Sequence, residues 1–72
     1  MRPFSLDEWL NDKSLKVVDA KNRPVRIVCH DMRNKLPIIY LVDMGGFDIY
    51  GRCNSRGFGG FLEDVQLLMF NP

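Results

Sequence analysis

The sequence predicts an α+β domain that is mainly β, with a short N-terminal helix followed by an antiparallel meander of about five strands. In the stretch from Pro24 to Asp43, apolar and polar residues first alternate, and β-branched residues are then frequent. Both patterns are typical of strands. The connections between apolar stretches are short, whereas parallel strands need crossovers of a dozen residues or more. Seventy-two residues make one domain, 1–72. A meander of this size curls into a half-open small barrel or folds against its helix.

The first element is a helix predicted over 6–13. Ser5-Leu6-Asp7-Glu8 fits a capping box, in which the Ser5 hydroxyl accepts from the Glu8 backbone N–H and the Glu8 carboxylate accepts from the Ser5 N–H. A helix of two turns is too short to be stable alone. We therefore expect it to dock on the sheet through Trp9 and Leu10.

The strands are predicted over 15–19, 24–31, 36–43, 47–53 and 65–70. A polar turn around Asn22, the natural candidate for a positive φ, leads from the first strand to the second. In the second strand Val25, Ile27 and Cys29 have the period of two that faces one core. The third strand is apolar on both faces, so we expect it to lie centrally and to be covered twice.

The fourth strand follows the bend at Gly45-Gly46. Its alternation predicts Phe47, Ile49, Gly51 and Cys53 facing inward, with Asp48, Tyr50 and Arg52 facing outward. Asn54–Gly60 is rich in glycine and small polar residues, which indicates a loop or hairpin tip before the last strand.

Composition excludes several classes of protein. The net charge is +1, with seven basic and three acidic residues in 21–56, which is far less than a phosphate-binding stripe. No segment resembles a signal peptide or a membrane span, so we expect a cytoplasmic protein with no membrane partner. In that compartment Cys29 and Cys53 remain thiols.

Several stretches carry a family resemblance. The chain resembles a group of small uncharacterised proteins from phages, prophages and the gut bacteria that carry them, through Pro3-Phe4-Ser5-Leu6, Pro24–Cys29, Pro37-Ile38-Ile39 and a close with Asp64 and Leu67-Leu68-Met69. The similarity covers nearly the whole chain. It departs at Asn22, where the group has an Asp-Gly turn, and in the enlarged stretch Arg56–Phe61. The resemblance implies a mobile-element origin and no site residues.

Two motifs resemble functional sites, one for RNA binding and one for metal binding or catalysis, but neither has the residues or the spacing that such a site needs. Arg56–Phe61 is similar to the RNA-binding octapeptide of the RRM fold, but Gly60 replaces an aromatic and the chain is too short after it for the remaining RRM elements. Cys29 and His30 are adjacent on a strand, so they point to opposite faces and cannot readily share an ion or a substrate. Adding Cys53 gives three soft ligands without paired zinc spacing. We therefore predict no cofactor, no metal and no enzyme activity.

Two functions remain open. The first is a small accessory module of a mobile element that acts by protein–protein contact. The alternative is a weak nucleic-acid-binding module, because basic and aromatic side chains on one sheet face suit single-stranded nucleic acid. The candidate binding face consists of Arg26, His30, Tyr50, Arg52, Arg56 and Phe58. Basic residues clustered on one face favour nucleic acid, and scattered ones favour protein.

The last strand also predicts self-association. Val65–Phe70 holds four large apolar residues in succession and no Lys or Pro, the residues that discourage pairing at an open edge. Alternation sends only half of them into one core. We therefore expect a homodimer at micromolar concentrations or above, formed through Val65–Phe70 or the apolar face beside it.

Overall fold

The computed structural model describes residues 1–59 and 66–71. The elements are β1 (Arg2–Pro3), α1 (Leu6–Asn11), β2 (Lys16–Val18), β3 (Pro24–Cys29), β4 (Ile38–Asp43), β5 (Asp48–Cys53) and β6 (Leu68–Phe70). The prediction of a mainly β protein with one short N-terminal helix is confirmed. No helix of the described residues is long and apolar enough to cross a membrane.

The sheet is antiparallel throughout, with the order β1-β6-β2-β3-β4-β5. Strands β2 to β5 form the predicted meander. Within the described residues the sheet does not close into a barrel, in agreement with the half-open arrangement. An isolated bridge between Phe58 and Gln66 joins the segment after β5 to the segment before β6.

The last strand does not lie at an edge, which corrects the prediction for Val65–Phe70. β6 pairs with β1 on one side and with β2 on the other. Its neighbour Leu67 and its central residue Met69 are fully buried, while Leu68 and Phe70 are half-buried. Val65 lies outside the described residues. Because β6 is paired on both sides, it has no free backbone edge to offer a second chain.

The helix is capped at only one of its two predicted contacts. The Ser5 hydroxyl accepts from the Glu8 backbone N–H at 3.5 Å. The Glu8 carboxylate instead accepts from Arg2, 2.9 Å from its guanidinium. The helix ends two residues earlier than predicted, at Asn11. Trp9 packs against the core, but Leu10 is 40% exposed and does not dock as expected.

The core lies on one face of the sheet, so the prediction that the third strand is covered twice is wrong. In β4 the side chains of Ile38, Tyr40 and Val42 are buried, whereas Ile39 and Leu41 are only half-buried. The apolar side chains on the second face are therefore left partly open to solvent. β4 is also not central, since only β5 lies beyond it.

A bulge corrects the prediction that Cys29 faces the core. Ile27 pairs with Tyr40, but two residues later Cys29 pairs with Ile39. Val28 is the extra residue. It moves Cys29 to the other face of the sheet from the one that carries Tyr40. Cys29 is accordingly half-buried, and Val28 is 58% exposed.

The β2–β3 turn behaves as predicted at Asn22, whose φ is +65°. Asp19 organises this turn. Its carboxylate accepts from the backbone N–H groups of Lys21 and Arg23, at 3.0 and 2.9 Å, and from the Arg23 guanidinium at 2.7 Å. Asp19 is 7% exposed, so these bonds hold a nearly buried charge.

Candidate binding surface

Strand β5 is the long edge strand of the sheet. It pairs with β4 over its six residues, and no described residue pairs with its other edge from Asp48 to Gly51. Three apolar side chains on and beside it are exposed: Phe47 by 64%, Ile49 by 44% and Tyr50 by 76%. We call these three residues the β5 patch. Large apolar groups concentrated on one edge are typical of a surface that binds another chain.

The hydrogen-bonding direction of each β5 residue follows from the turn. The Met44 N–H donates to the Phe47 carbonyl at 2.9 Å, which makes these two residues a hydrogen-bonded pair. Hydrogen-bonded and non-hydrogen-bonded pairs alternate along an antiparallel ladder. In the observed β4–β5 register, Ile49 therefore bonds to β4. The backbone N–H and C=O groups that point to the outer edge belong to Asp48, Tyr50 and Arg52.

One end of this edge is covered. The Asn54 N–H donates to the Phe58 carbonyl at 2.7 Å, so the chain folds back beside the end of β5. Gly59 then lies against the backbone of Arg52 and Cys53, where an added Cβ would overlap the Arg52 carbonyl oxygen. Among residues 1–59 and 66–71, the part of the edge without a partner is therefore Asp48 to Gly51, with outward-pointing groups on Asp48 and Tyr50.

We call the face of the sheet opposite the core the outer face. It carries a row of side chains that runs across five strands. Register places Phe70 beside Lys16, and Arg26 beside Leu41, which in turn lies beside Tyr50. The β2–β3 register, continued by one residue, sets Lys16 next to Arg26. Lys16, Arg26 and Tyr50 are exposed, and the other two are half-buried.

Three of the six predicted binding residues share this outer face. Arg26 and Tyr50 belong to the row just described, and Arg52 lies beside Ile39 in the next row. Arg52 is half-buried, and its Nε finds no hydrogen-bond partner among the described residues. Arg26 donates to the Asp48 carboxylate at 3.2 Å, which offsets its charge.

The other three predicted residues lie elsewhere. His30 is half-buried, with its ring edge-on to Trp9 at a centroid distance of 6.2 Å, so it packs against α1 and does not join the predicted binding face. Arg56 lies in the turn after β5, where its N–H donates to the Asn54 side chain at 2.9 Å. Phe58 forms the bridge to Gln66 and is 47% exposed. Gly60 and Phe61, the end of the RRM-like motif, lie outside the described residues.

Ion pairs neutralise part of the basic charge. Arg2 pairs with Glu8, Arg23 with Asp19, and Arg26 with Asp48. All three basic residues of the described strands β2 to β6, namely Lys16, Arg26 and Arg52, lie on the outer face. The other basic residues lie in β1, in turns and in loops, so only part of the basic charge is on that face.

An open groove lies beside the β5 patch. It has a volume of about 420 Å³ and is lined by Arg26, Leu41, Asp43, Phe47 and Asp48 together with the turn glycines. Asp43 and Asp48 face each other across β4 and β5. The Asp43 carboxylate accepts from the Gly45 N–H at 2.8 Å, which fixes the turn that displays Phe47.

The cysteines are free thiols. Cys53 is fully buried, and that burial raises the pKa of its thiol to about 12. A thiol with this pKa is not ionised near neutral pH, so Cys53 is a core side chain. Among the described residues no group of three or more His, Cys, Asp or Glu is placed to hold a metal ion.

Phe47 and Ile49 were missed as surface residues, since alternation predicted both to face inward. Ile49 does lie on the core side, opposite Val42, but nothing described lies beyond it, because β5 is an edge strand. Phe47 precedes β5 and belongs to its turn. Period-two alternation identifies the face of a strand but not its place in the sheet. The glycine pair before Phe47 was the available signal for an exposed turn.

Comparisons with protein-family models, with curated proteins and with solved structures find no match to this chain.

Proposed function

We propose that this protein is a non-enzymatic accessory module that binds another protein chain through the β5 patch. The observation that carries the proposal is the exposure of Phe47, Ile49 and Tyr50 beside a backbone edge that no described residue pairs with. An edge supplies main-chain hydrogen bonds for affinity, and alternate side chains beside it supply specificity. Aromatic residues such as Phe and Tyr are enriched in protein interfaces.

The state of the reactive side chains supports a role without catalysis. The Cys53 thiol is buried and protonated, and the His30 ring packs against Trp9. A nucleophile needs an activating base within hydrogen-bond reach. The two free thiols fit the reducing cytoplasm, where we place the protein. The resemblance described above supports an origin in a mobile genetic element.

The experiment is affinity capture from the source cells with three immobilised proteins. These are the wild type, a Phe47→Ser/Tyr50→Ser variant, and Leu10→Ser as the matched control, because Leu10 is equally apolar and 40% exposed but lies on α1. We expect one protein to be retained by the wild type and by the control but not by the patch variant. All three should unfold at similar urea concentrations. Retention by all three would count against the proposal, as would retention by none together with a wild type that stays monomeric in solution.

A second candidate function is weak binding of single-stranded nucleic acid along the outer face. The observation that favours it is the row in which Lys16 and Arg26 lie between Phe70 and Tyr50. Stacking on aromatic side chains beside basic groups holds single strands without sequence preference. Fluorescence anisotropy with a labelled oligothymidine tests it. Binding should weaken in Lys16→Gln and with added salt, and should persist in Lys21→Gln, a control in the β2–β3 turn.

A further inference from the structure

We propose that the chain bound by the β5 patch is a second copy of this protein, paired β5 to β5 in antiparallel orientation about a two-fold axis at Ile49. The inference rests on the proposed function, because it names the partner of the same patch. The two six-stranded sheets would form one continuous sheet with their cores on the same side. The site is a sheet edge, and its ligand is an identical strand.

Backbone geometry restricts the registers that are available. The N–H and C=O groups of Asp48 and Tyr50 point outward and pair with no described residue, while Ile49 and Gly51 are bonded to β4. Outward-pointing residues must therefore face outward-pointing residues of the other copy. Within the open segment four symmetric registers satisfy this condition. They place Asp48, Ile49, Tyr50 or Gly51 at the centre, opposite the same residue of the other copy.

Two contacts exclude the registers that are not centred at Ile49. A centre at Tyr50 or at Gly51 would require bonds to Arg52, whose carbonyl is covered by Gly59. A centre at Asp48 would set two carboxylates directly opposite each other, which is destabilising. In the remaining register Asp48 of each copy faces Tyr50 of the other. This register uses the open backbone groups of both residues, four hydrogen bonds in all by the antiparallel pattern, and needs none from Arg52.

The side chains in this register are complementary on the core side. Ile49 meets Ile49 at the two-fold axis as a close, non-hydrogen-bonded pair. Phe47 of each copy faces Gly51 of the other. Gly51 has no side chain, and the Tyr40 ring fills the space above it. Phe47 therefore lies opposite a glycine whose side-chain space is already filled by an aromatic ring.

The charges on the outer face are also complementary. Arg52 of each copy lies diagonally across from Asp48 of the other, a separation that a long side chain can span. Asp48 already accepts from Arg26. Arg52 brings a second cation to it, and this cation has an Nε without a partner among the described residues. The contact occurs twice because of the two-fold symmetry.

The area of the β5 patch is smaller than that of a stable dimer interface. The exposed parts of Phe47, Ile49 and Tyr50 amount to roughly 350 Å² per copy, given side-chain areas of about 150–250 Å². Two copies together bury less than the ~1,200 Å² of a stable interface. An interface this small is in the range of transient encounters, so we expect a dimer that is populated only at high protein concentration.

The test combines sedimentation with disulfide trapping. In sedimentation equilibrium the wild type should shift from 8.4 kDa towards twice that mass as its concentration rises to about 1 mM. Ile49→Lys should remain a monomer, because two ammonium groups would meet at the axis. Single cysteines are introduced in a Cys29→Ser background as Asp48→Cys, Ile49→Cys or Tyr50→Cys. Each reports on the register centred at its own position, since a disulfide needs Cα atoms about 4.4–6.8 Å apart.

Under mild oxidation Ile49→Cys should give a covalent dimer at least ten times faster than the other two variants. A wild type that is monomeric at 1 mM, or faster trapping at position 48 or 50, overturns the inference. Equal trapping at all three positions also overturns it. If the wild type is monomeric but affinity capture still depends on Phe47 and Tyr50, the proposed function stands and only the identity of the partner is wrong. If capture fails as well, both are wrong.

Discussion

The ring of Tyr40 occupies the space in which Gly51 would carry a side chain. A Cβ built on Gly51 would lie 2.5 Å from both Cζ and Oη of Tyr40. The two residues face each other across β4 and β5, and Tyr40 is 5% exposed. The absence of a side chain at Gly51 thus allows a large aromatic ring to lie flat over the edge of the core.

Gly51→Ala should therefore destabilise the fold by about 1–3 kcal/mol, the usual cost of forcing extra volume into a packed core. The measurement is urea unfolding followed by the fluorescence of Trp9. Gly46→Ala is the control, because an added Cβ there meets nothing within 4 Å. Equal unfolding midpoints for the two variants would show that the Tyr40 ring moves aside freely.

A second prediction concerns acid stability and Asp19. Burial alone would raise the pKa of its carboxyl, but hydrogen bonds from the backbone and guanidinium of Arg23 and from the Lys21 N–H outweigh it and hold the pKa below its ordinary value. A lowered folded-state pKa gives stability that is present above the unfolded pKa, about 3.9, and is lost as the pH falls through the folded pKa. Asp19→Asn should cost roughly 1–3 kcal/mol at pH 7, where the wild type keeps these bonds.

The difference between the wild type and Asp19→Asn should shrink steadily as the pH falls below 4, since protonation removes the same charge. Thermal or urea unfolding from pH 7 to pH 2 measures it. The exposed Asp31→Asn serves as the control and should follow the wild type. A gap that stays constant across this range would mean that the Asp19 charge contributes nothing.

A third prediction separates two aromatic residues at the N-terminus. Phe4 is 2% exposed, and its N–H donates to the Leu67 carbonyl at 3.0 Å, whereas Trp9 is only half-buried beneath Lys13 and beside His30. Phe4→Ala should cost about 3–5 kcal/mol and can unfold so small a domain, because it leaves a cavity in the core. Trp9→Ala should cost roughly half as much.

Chemical unfolding of the Phe4 and Trp9 variants, followed by circular dichroism at 222 nm, checks the ranking. Ser5→Ala is a milder comparison, since removing a helix cap costs ~1 kcal/mol or less when the bond is as long as 3.5 Å. If Trp9→Ala proved the more damaging of the two aromatic variants, the helix would contribute more to stability than its partial burial indicates.

A fourth prediction concerns thiol reactivity. Burial raises the pKa of the Cys53 thiol to about 12, while Cys29 lies half-buried at the β3 bulge. Because the thiolate is the reactive form, iodoacetamide at pH 8 should modify Cys29 alone in the folded protein. Mass spectrometry should detect one adduct per chain in buffer and two in denaturant. Two adducts in buffer would mean that the segment around Cys53 opens readily.

The local elements of this fold were predictable because their signals lie within a few residues. The Ser5 cap, the positive φ at Asn22 and the pairing of neighbouring strands β2 to β5 all follow from short-range sequence. The position of β6 does not follow from short-range sequence, since its partners β1 and β2 are far away in sequence. A strand's own residues do not say which strand it joins.

Parts of the candidate site escaped prediction for a similar reason. The outward faces of Arg26, Tyr50 and Arg52 follow from alternation, and the structure brings them to one side. Ile49 is exposed because β5 lies at the edge of the described sheet, and no local sequence pattern encodes that position. The shift of Cys29 depends on one bulged residue, which reverses the alternation after it.

The position of β6 also determines when the domain can fold. β6 is the last of the described strands along the sequence, yet in the sheet it lies between β1 and β2, the first two. A chain emerging from the ribosome can form the hairpins of β2 to β5, but β1 has nothing to pair with until residues 68–70 have been made. Such distant pairing raises the contact order and slows folding. Until synthesis reaches Phe70, the edges of β1 and β2 and the core pocket of Met69 stay open, and the nascent chain is most prone to aggregation in that interval.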